Sequence, residues 1–487
     1  MENRIKIKNV FLQRYPFMVA FIMIGLYLFP KETMTFASSD AAEIWKTIMT
    51  YETEDVYGTY VLYKGLSAVY PYLWFYKLSL LLGLNEWFFV KIYHCVLFSY
   101  VTTIGFPKMI ELLTKQNVKS YRKLILMILC FYFWEYTYAL SNLMIDLPSM
   151  CYFVLLVNCG LKIYRGSPTI WNYIWYGVLL GINLCASGQY TMPGYCVTVL
   201  VIIVTVKRFR TMKKKCFSSL LGHFFSMSIF AMLLKGMNNY YLNTFVAGLR
   251  EKGAWIPDAA AWLSCALTRF MTTYRTGGAL KIPSSRNAAI LQDALGIEEF
   301  EQKFDVILGG GYPISISEYL ELFFKYPVDF ILCYFEKFFI MLSPDKGSFR
   351  FVPLFIFYSL IFVALYIGFT NCKKIKDILN VKFWIGFAFI WAIVPALVGT
   401  TEPRVCMQIQ GLIISLAVCS DFIWEKIKTY LGKISSIIRN RECKKIMELE
   451  VPYAVILYII FMILCFLNMS TLYEMIGIDA NQVLISY

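Results

Sequence analysis

The segment "ALVGTTEPRVCMQIQGLII" (396–414) places Glu402 and Arg404 two positions apart, between apolar runs long enough to cross a bilayer. An arginine offers a planar, permanently charged fork that grips phosphate oxygens in pairs. Glu402 is placed to hold that fork in position. Other reactive types stand near the ends of apolar runs: Asp40 and Glu43 in "ASSDAAEIW", Asp146 in "NLMIDLPS", and Gln189 with Tyr190 in "SGQYTMPGY". A carboxylate at a membrane surface can take a proton from a hydroxyl, because partial desolvation raises its pKa. The chain has two histidines, His94 and His223, and neither is well placed for that role. A carboxylate is therefore the remaining candidate for a base, and Asp40, Asp146 and Glu43 are the ones on offer.

Each of these residues also has a plain structural role open to it. Asp40 and Asp146 both precede helix-like stretches and can serve as N-caps. Glu402 and Arg404 can simply pair with each other, a modest contribution when exposed. His94 reads as a packed polar side chain, and His223 falls near the opposite face. Glu135 is costly in lipid and is expected to face the bundle interior.

The elements that must position these groups are membrane helices. The 487 residues are 59% hydrophobic and 16% charged, too little charge for a soluble protein of this length. Apolar blocks of about 17–25 residues recur, the length of a helical crossing, and backbone groups in lipid must bond internally. The expected fold is an all-α polytopic membrane protein of about eleven spans, near 10–30, 86–110, 122–140, 148–164, 170–187, 192–206, 217–236, 350–370, 381–399, 404–424 and 451–469. The net charge of +14 does not gather in one patch, which argues against nucleic acid. Basic clusters alternate instead: Arg4 to Lys8, Lys115 to Lys123, Lys162 with Arg165, "KRFRTMKKK" (207–215), "CKKIKD" (372–377) and Lys426 to Lys445. All fall on one side if the N-terminus is cytoplasmic. The segments 70–84 and 326–342 are apolar but carry charge, and read as amphipathic helices at the outer interface. The domain plan is an N-terminal membrane module (1–236) whose first outer loop is 31–85, a large outer loop (237–318), an interfacial helix (319–345) and a C-terminal module (346–487). Arg275, with Arg269, Lys281 and Arg286, lies in the large loop. Fourteen cysteines form no CxxC pair and read as small hydrophobes.

With this sidedness, Asp40, Glu43, Glu135, Asp146, Gln189, Tyr190, Glu402 and Arg404 converge on the extracytoplasmic face. Their order is similar to that of the GT-C superfamily of glycosyltransferases, which use lipid-phosphate-linked sugars. Asp40 soon after the first span, "YPYLWFYKLSLLLGL" (70–84) leading into the second, "IDLPSM" (145–150) opening a later span and "TEPRVCMQ" (401–408) near the end carry the resemblance. No double acid stands at Asp40 and no WWDYG-like element is present, so the subfamily stays open.

The resemblance implies a GT-C-like helical bundle and a polyprenyl-phosphate sugar as donor. The acceptor would be a cell-envelope glycan, lipid or protein at the extracytoplasmic face of a bacterial plasma membrane. Asp40 would be the base, supported by Asp146 and Glu43. Arg404 would bind the lipid phosphate, oriented by Glu402, with Gln189, Tyr190, Glu135 and Arg275 lining the substrate site. No cofactor is required, and a divalent metal (Mg or Mn) shared by Asp40 and Asp146 is compatible. Two other readings stay open: a polymerase or ligase acting on lipid-linked glycans, and a transporter or flippase of lipid-linked substrates. The latter calls for midplane charge and repeated halves, and no internal repeat is present.

Overall fold

The computed structural model describes the backbone of residues 2–34, 41, 45, 66–166, 169–211, 217–251, 316–325, 327, 331, 351–371, 381–392, 394, 406–421, 424–425, 428–429, 432 and 453–475. Among them there is no strand, and the fold is all-α. In chain order the helices are α1 (Glu2–Leu28), α2 (Leu66–Leu81), α3 (Phe88–Tyr100), a π turn (Val101–Gly105), α4 (Phe106–Thr114), α5 (Ser120–Tyr132), α6 (Trp134–Ser141), α7 (Asp146–Arg165) and α8 (Ile170–Leu184). A 3-10 turn (Gly188–Tyr190) leads into α9 (Thr191–Thr211). Then come α10 (Phe217–Glu251), α11 (Ile316–Lys325), α12 (Phe351–Asn371), α13 (Val381–Trp391), α14 (Met407–Cys419) and α15 (Tyr453–Met475).

Helix α7 is the axis of the bundle, touched by α3, α4, α6, α8, α9 and α14. Its side chains are buried nearly all round, as expected of a helix that is apolar on every face. Asn158 is a polar exception. Its Nδ2 donates to the Gly105 carbonyl across 2.9 Å, satisfying a backbone group at the π turn. Helices α8 and α10 pack most closely. Gly177 and Gly181 are four residues apart on α8, and a Cβ on the first would strike the backbone of Met227, one on the second the side chain of Leu234. Small residues at this spacing let two backbones approach in a membrane.

The expectation of eleven spans needs correction. Among the described residues, three helical stretches are long and apolar enough to cross a membrane: Phe88–Thr114, Asp146–Arg165 and Gly188–Lys207. Four further apolar stretches, Arg14–Leu28, Val352–Tyr366, Met407–Cys419 and Val455–Leu467, are shorter among the residues whose side chains are described. The helices that contain the first, second and fourth, α1, α12 and α15, run to 27, 21 and 23 residues, about the length a crossing needs. The expected span at 122–140 is not one helix. It breaks at Phe133, whose backbone is extended at φ −79°, ψ 130°, while its buried ring meets Phe357 at 5.5 Å. The expected span at 170–187 gives a helix of 15 residues. The one at 381–399 is helical over Val381–Trp391, and 393 and 395–399 lie outside the described residues.

The bundle separates its polar groups by end. At one end Arg122 pairs with Asp421 and donates to the Cys419 carbonyl at 3.3 Å. There too Glu111 pairs with Lys108 at 3.0 Å and Lys123 at 3.6 Å, and Arg165 reaches the Leu113 carbonyl at 2.8 Å. The 20 residues of α7 put Asp146 about 30 Å from that basic end. At the Asp146 end a second apolar cluster, separate from the main core, includes Ala41, Tyr72, Trp87, Tyr138, Ile145 and Ala186.

Candidate functional site

The site begins where α7 begins. Asp146 is the first residue of the helix; Ile145 occupies the cap position, and no side chain caps it. A carboxylate in a first turn is stabilised by the N-terminal end of the helix dipole. Asp146 is 8% exposed, so this charge is almost wholly removed from solvent. Its carboxylate acts electrostatically on two phenols, Tyr72 from α2 and Tyr190 from the 3-10 turn.

Tyr190 is held on three sides. Its ring packs on Phe153 at 5.1 Å, its carbonyl accepts from Asn183 Nδ2 at 3.0 Å, and its hydroxyl donates to Gln408 Oε1 at 3.1 Å. Gln189 lies within electrostatic reach of that hydroxyl. Gln408 is in the first turn of α14, preceded by Cys406, which is fully buried. Tyr136 of α6 donates to the Met407 carbonyl, so two tyrosines anchor the start of α14. Gly411 makes the approach possible, since a Cβ there would collide with the Phe106 ring and the Tyr136 hydroxyl.

Tyr72 belongs to a second polar chain. Its hydroxyl donates to the Met144 carbonyl at 2.7 Å and lies 2.9 Å from His94 Nε2. His94 Nδ1 faces the Leu140 carbonyl at 2.7 Å. A carbonyl only accepts, so in the neutral ring Nδ1 carries the proton, and Nε2 shares the single Tyr72 hydroxyl proton with the Met144 carbonyl. Burial pushes the Tyr72 phenol well above its usual pKa of 10.0, with Tyr152, Asp146 and Cys151 adding to the effect. Tyr93 and Tyr152 are 2.8 Å apart through their hydroxyls, and Tyr152 donates to the Ser67 carbonyl at 3.3 Å.

Of the residues singled out from sequence, Asp146, Gln189 and Tyr190 come together. Glu135 has its backbone in α6. Asp40, Glu43, Glu402, Arg404 and Arg275 lie outside the described residues, as do nearly all of the 326–342 segment and most of the 237–318 loop. Ala41, next to Asp40, joins the cluster that holds Ile145 and Ala186. Among the described residues no group of three or more His, Cys, Asp or Glu is placed to hold a metal ion.

Sequence reasoning missed Gln408 and Tyr72, whereas His94 is the packed polar side chain expected of it. Gln408 is fully buried, and its Nε2 has no hydrogen-bond partner among the described residues. Two glutamines inside "CMQIQGLII" were the available signal, because amides are expensive within an apolar helix and are kept there for a reason. Tyr72 and His94 carried no such signal, since their pairing spans two helices.

No family model, curated protein or solved structure matches this chain.

Proposed function

We propose that the chain is a membrane glycosyltransferase of GT-C-like architecture. It would move a sugar from a polyprenyl-phosphate donor to a cell-envelope glycan, lipid or protein acceptor on the extracytoplasmic face. The observation that supports this reading best is the meeting of early and late chain at one end of the bundle. Asp146, Tyr190 and Gln408 form one buried polar group there, with the flanking residue of Asp40 packed in the adjoining cluster. The basic residues Lys108, Arg122, Lys123 and Arg165 stand at the other end, in keeping with a cytoplasmic basic face.

In the proposed reaction an acceptor hydroxyl attacks the anomeric carbon. The new bond to the acceptor oxygen forms as the bond from that carbon to the phosphate oxygen breaks. Asp40 takes the hydroxyl proton, with Asp146 and Glu43 in support, and the lipid phosphate departs with the bonding electrons. Arg404, oriented by Glu402, offsets the charge that develops on that phosphate. Gln408 Nε2 offers a further neutral donor beside Tyr190. A divalent metal is compatible with Asp40 and Asp146, and the proposal assigns it no step.

The test is turnover of purified protein on a panel of polyprenyl-phosphate sugars, read as release of lipid phosphate. Asp40→Asn and Arg404→Ala are expected to lower it by about 10²-fold or more. Unchanged turnover in both variants would overturn the assignment.

A further inference from the structure

At the C-terminal end of α8, Lys235 Nζ of α10 donates to the Leu184 carbonyl at 3.1 Å, and α2 joins there through the Ser67 N–H, which donates to the Cys185 carbonyl at 3.2 Å. The three helices border a cavity of about 340 Å³, open on one side and lined by Ser67, Tyr70, Gly181, Cys185, Met237 and Asn238 among others. That volume holds about a dozen atoms of methylene size. Its polar groups are mostly engaged. Ser67 Oγ donates to the Ile182 carbonyl at 2.7 Å, and Cys185 Sγ sits 3.6 Å from the Leu234 carbonyl. Asn238 differs. It is 5% exposed, and its Oδ1 has no hydrogen-bond partner among the described residues. A buried amide left this way is costly, and the cost disappears when a donor reaches it.

The open side of the cavity decides where an occupant comes from. On α10 the side chains of Ile229, Met232, Leu233, Met237 and Tyr240 are all exposed. This outer strip is apolar, so an apolar chain arriving from the bilayer would meet no polar barrier on entering. An apolar chamber with one unpaired amide matches an alkyl chain ending in a hydroxyl, because a hydroxyl both donates and accepts.

We propose that the α2–α8–α10 cavity binds the hydrocarbon chain of a hydroxyl-bearing lipid from the bilayer, with the lipid hydroxyl bonded to the Asn238 amide. Lipid binding here is independent of the transferase reading. The wall at Ser67 is nonetheless joined through Tyr152 to α7, the helix that begins at Asp146.

The experiment uses the full chain in a lipid-free amphipathic polymer with a diazirine-bearing dodecanol as photoprobe, mapped by peptide mass spectrometry. Labelling is expected at the peptides containing Ile182 and Met237. Unlabelled 1-dodecanol should compete about tenfold better than dodecane, the worth of one net hydrogen bond. Asn238→Leu keeps the volume and should erase that tenfold preference. Met237→Trp fills the cavity from an exposed position and should abolish labelling at both peptides. Equal competition by alcohol and alkane on the wild type would overturn the hydrogen-bond assignment. Undiminished labelling in Met237→Trp would overturn the cavity as the binding site. Thermal unfolding of both variants checks that each is folded, and sugar-transfer activity is not part of the readout.

Discussion

The Tyr190 hydroxyl donates to Gln408 Oε1 across 3.1 Å, joining two fully buried residues 218 positions apart in the chain. It ties the turn before α9 to the first turn of α14, and both flank the start of α7. Tyr190→Phe leaves the Gln408 amide without this partner in a site water does not reach. A loss of about 1–3 kcal/mol in stability is expected, read by thermal unfolding. Gln408→Leu added to Tyr190→Phe should cost less than the sum of the two single changes, as coupled partners do.

Asp146 is the one proposed catalytic acid that lies among the described residues. Asp146→Asn keeps shape and hydrogen-bonding capacity but removes the charge. Turnover on a working donor should fall by about 10²-fold. The stability change should stay within about 1 kcal/mol, the worth of a charge at a helix N-terminus. A variant with full turnover would confine Asp146 to a structural role.

Tyr72 makes stability depend on alkaline pH. Its phenol is held neutral in the fold by burial, so its folded pKa stands above the unfolded value of 10.0. The folded state then keeps a proton that the unfolded chain releases. This contribution is fully present below about pH 10 and declines as pH rises further, by at most about 1.4 kcal/mol per pH unit. Unfolding measured between pH 8 and 11 should show a steeper alkaline loss for the wild type than for Tyr72→Phe. Equal slopes would show that the phenol ionises freely.

The α8–α10 contact depends on hydrogen-sized side chains. Gly177→Ala forces a Cβ into the Met227 backbone and is expected to cost about 1–3 kcal/mol through displaced helices. Gly222→Ala on α10 meets nothing within 4 Å and should stabilise by up to about 1 kcal/mol, by restricting the unfolded chain. Thermal unfolding of the two variants side by side separates close packing from helix propensity.

Much of this molecule is legible along the chain. Long apolar runs became α1, α7 and α9 close to their expected positions, because helix formation in lipid is dictated locally by backbone hydrogen bonding. The location of Arg122, Lys123 and Arg165 at the end opposite Asp146 follows from the same pattern, since charges collect where an apolar helix stops.

Other features came into being only when the helices packed. Phe133 interrupts an apolar run that reads as one span, because its ring finds Phe357 from α12. The 3.6-residue period says nothing about such a partner. The Tyr72–His94 pair, the Tyr190–Gln408 bond and the cavity beyond Gly181 are likewise contacts between elements remote in sequence. Residue order settles which stretches are helical and which ends are charged, as both depend on neighbours in the chain. Which buried polar group meets which depends on how close two helices come, and tertiary packing alone sets that distance.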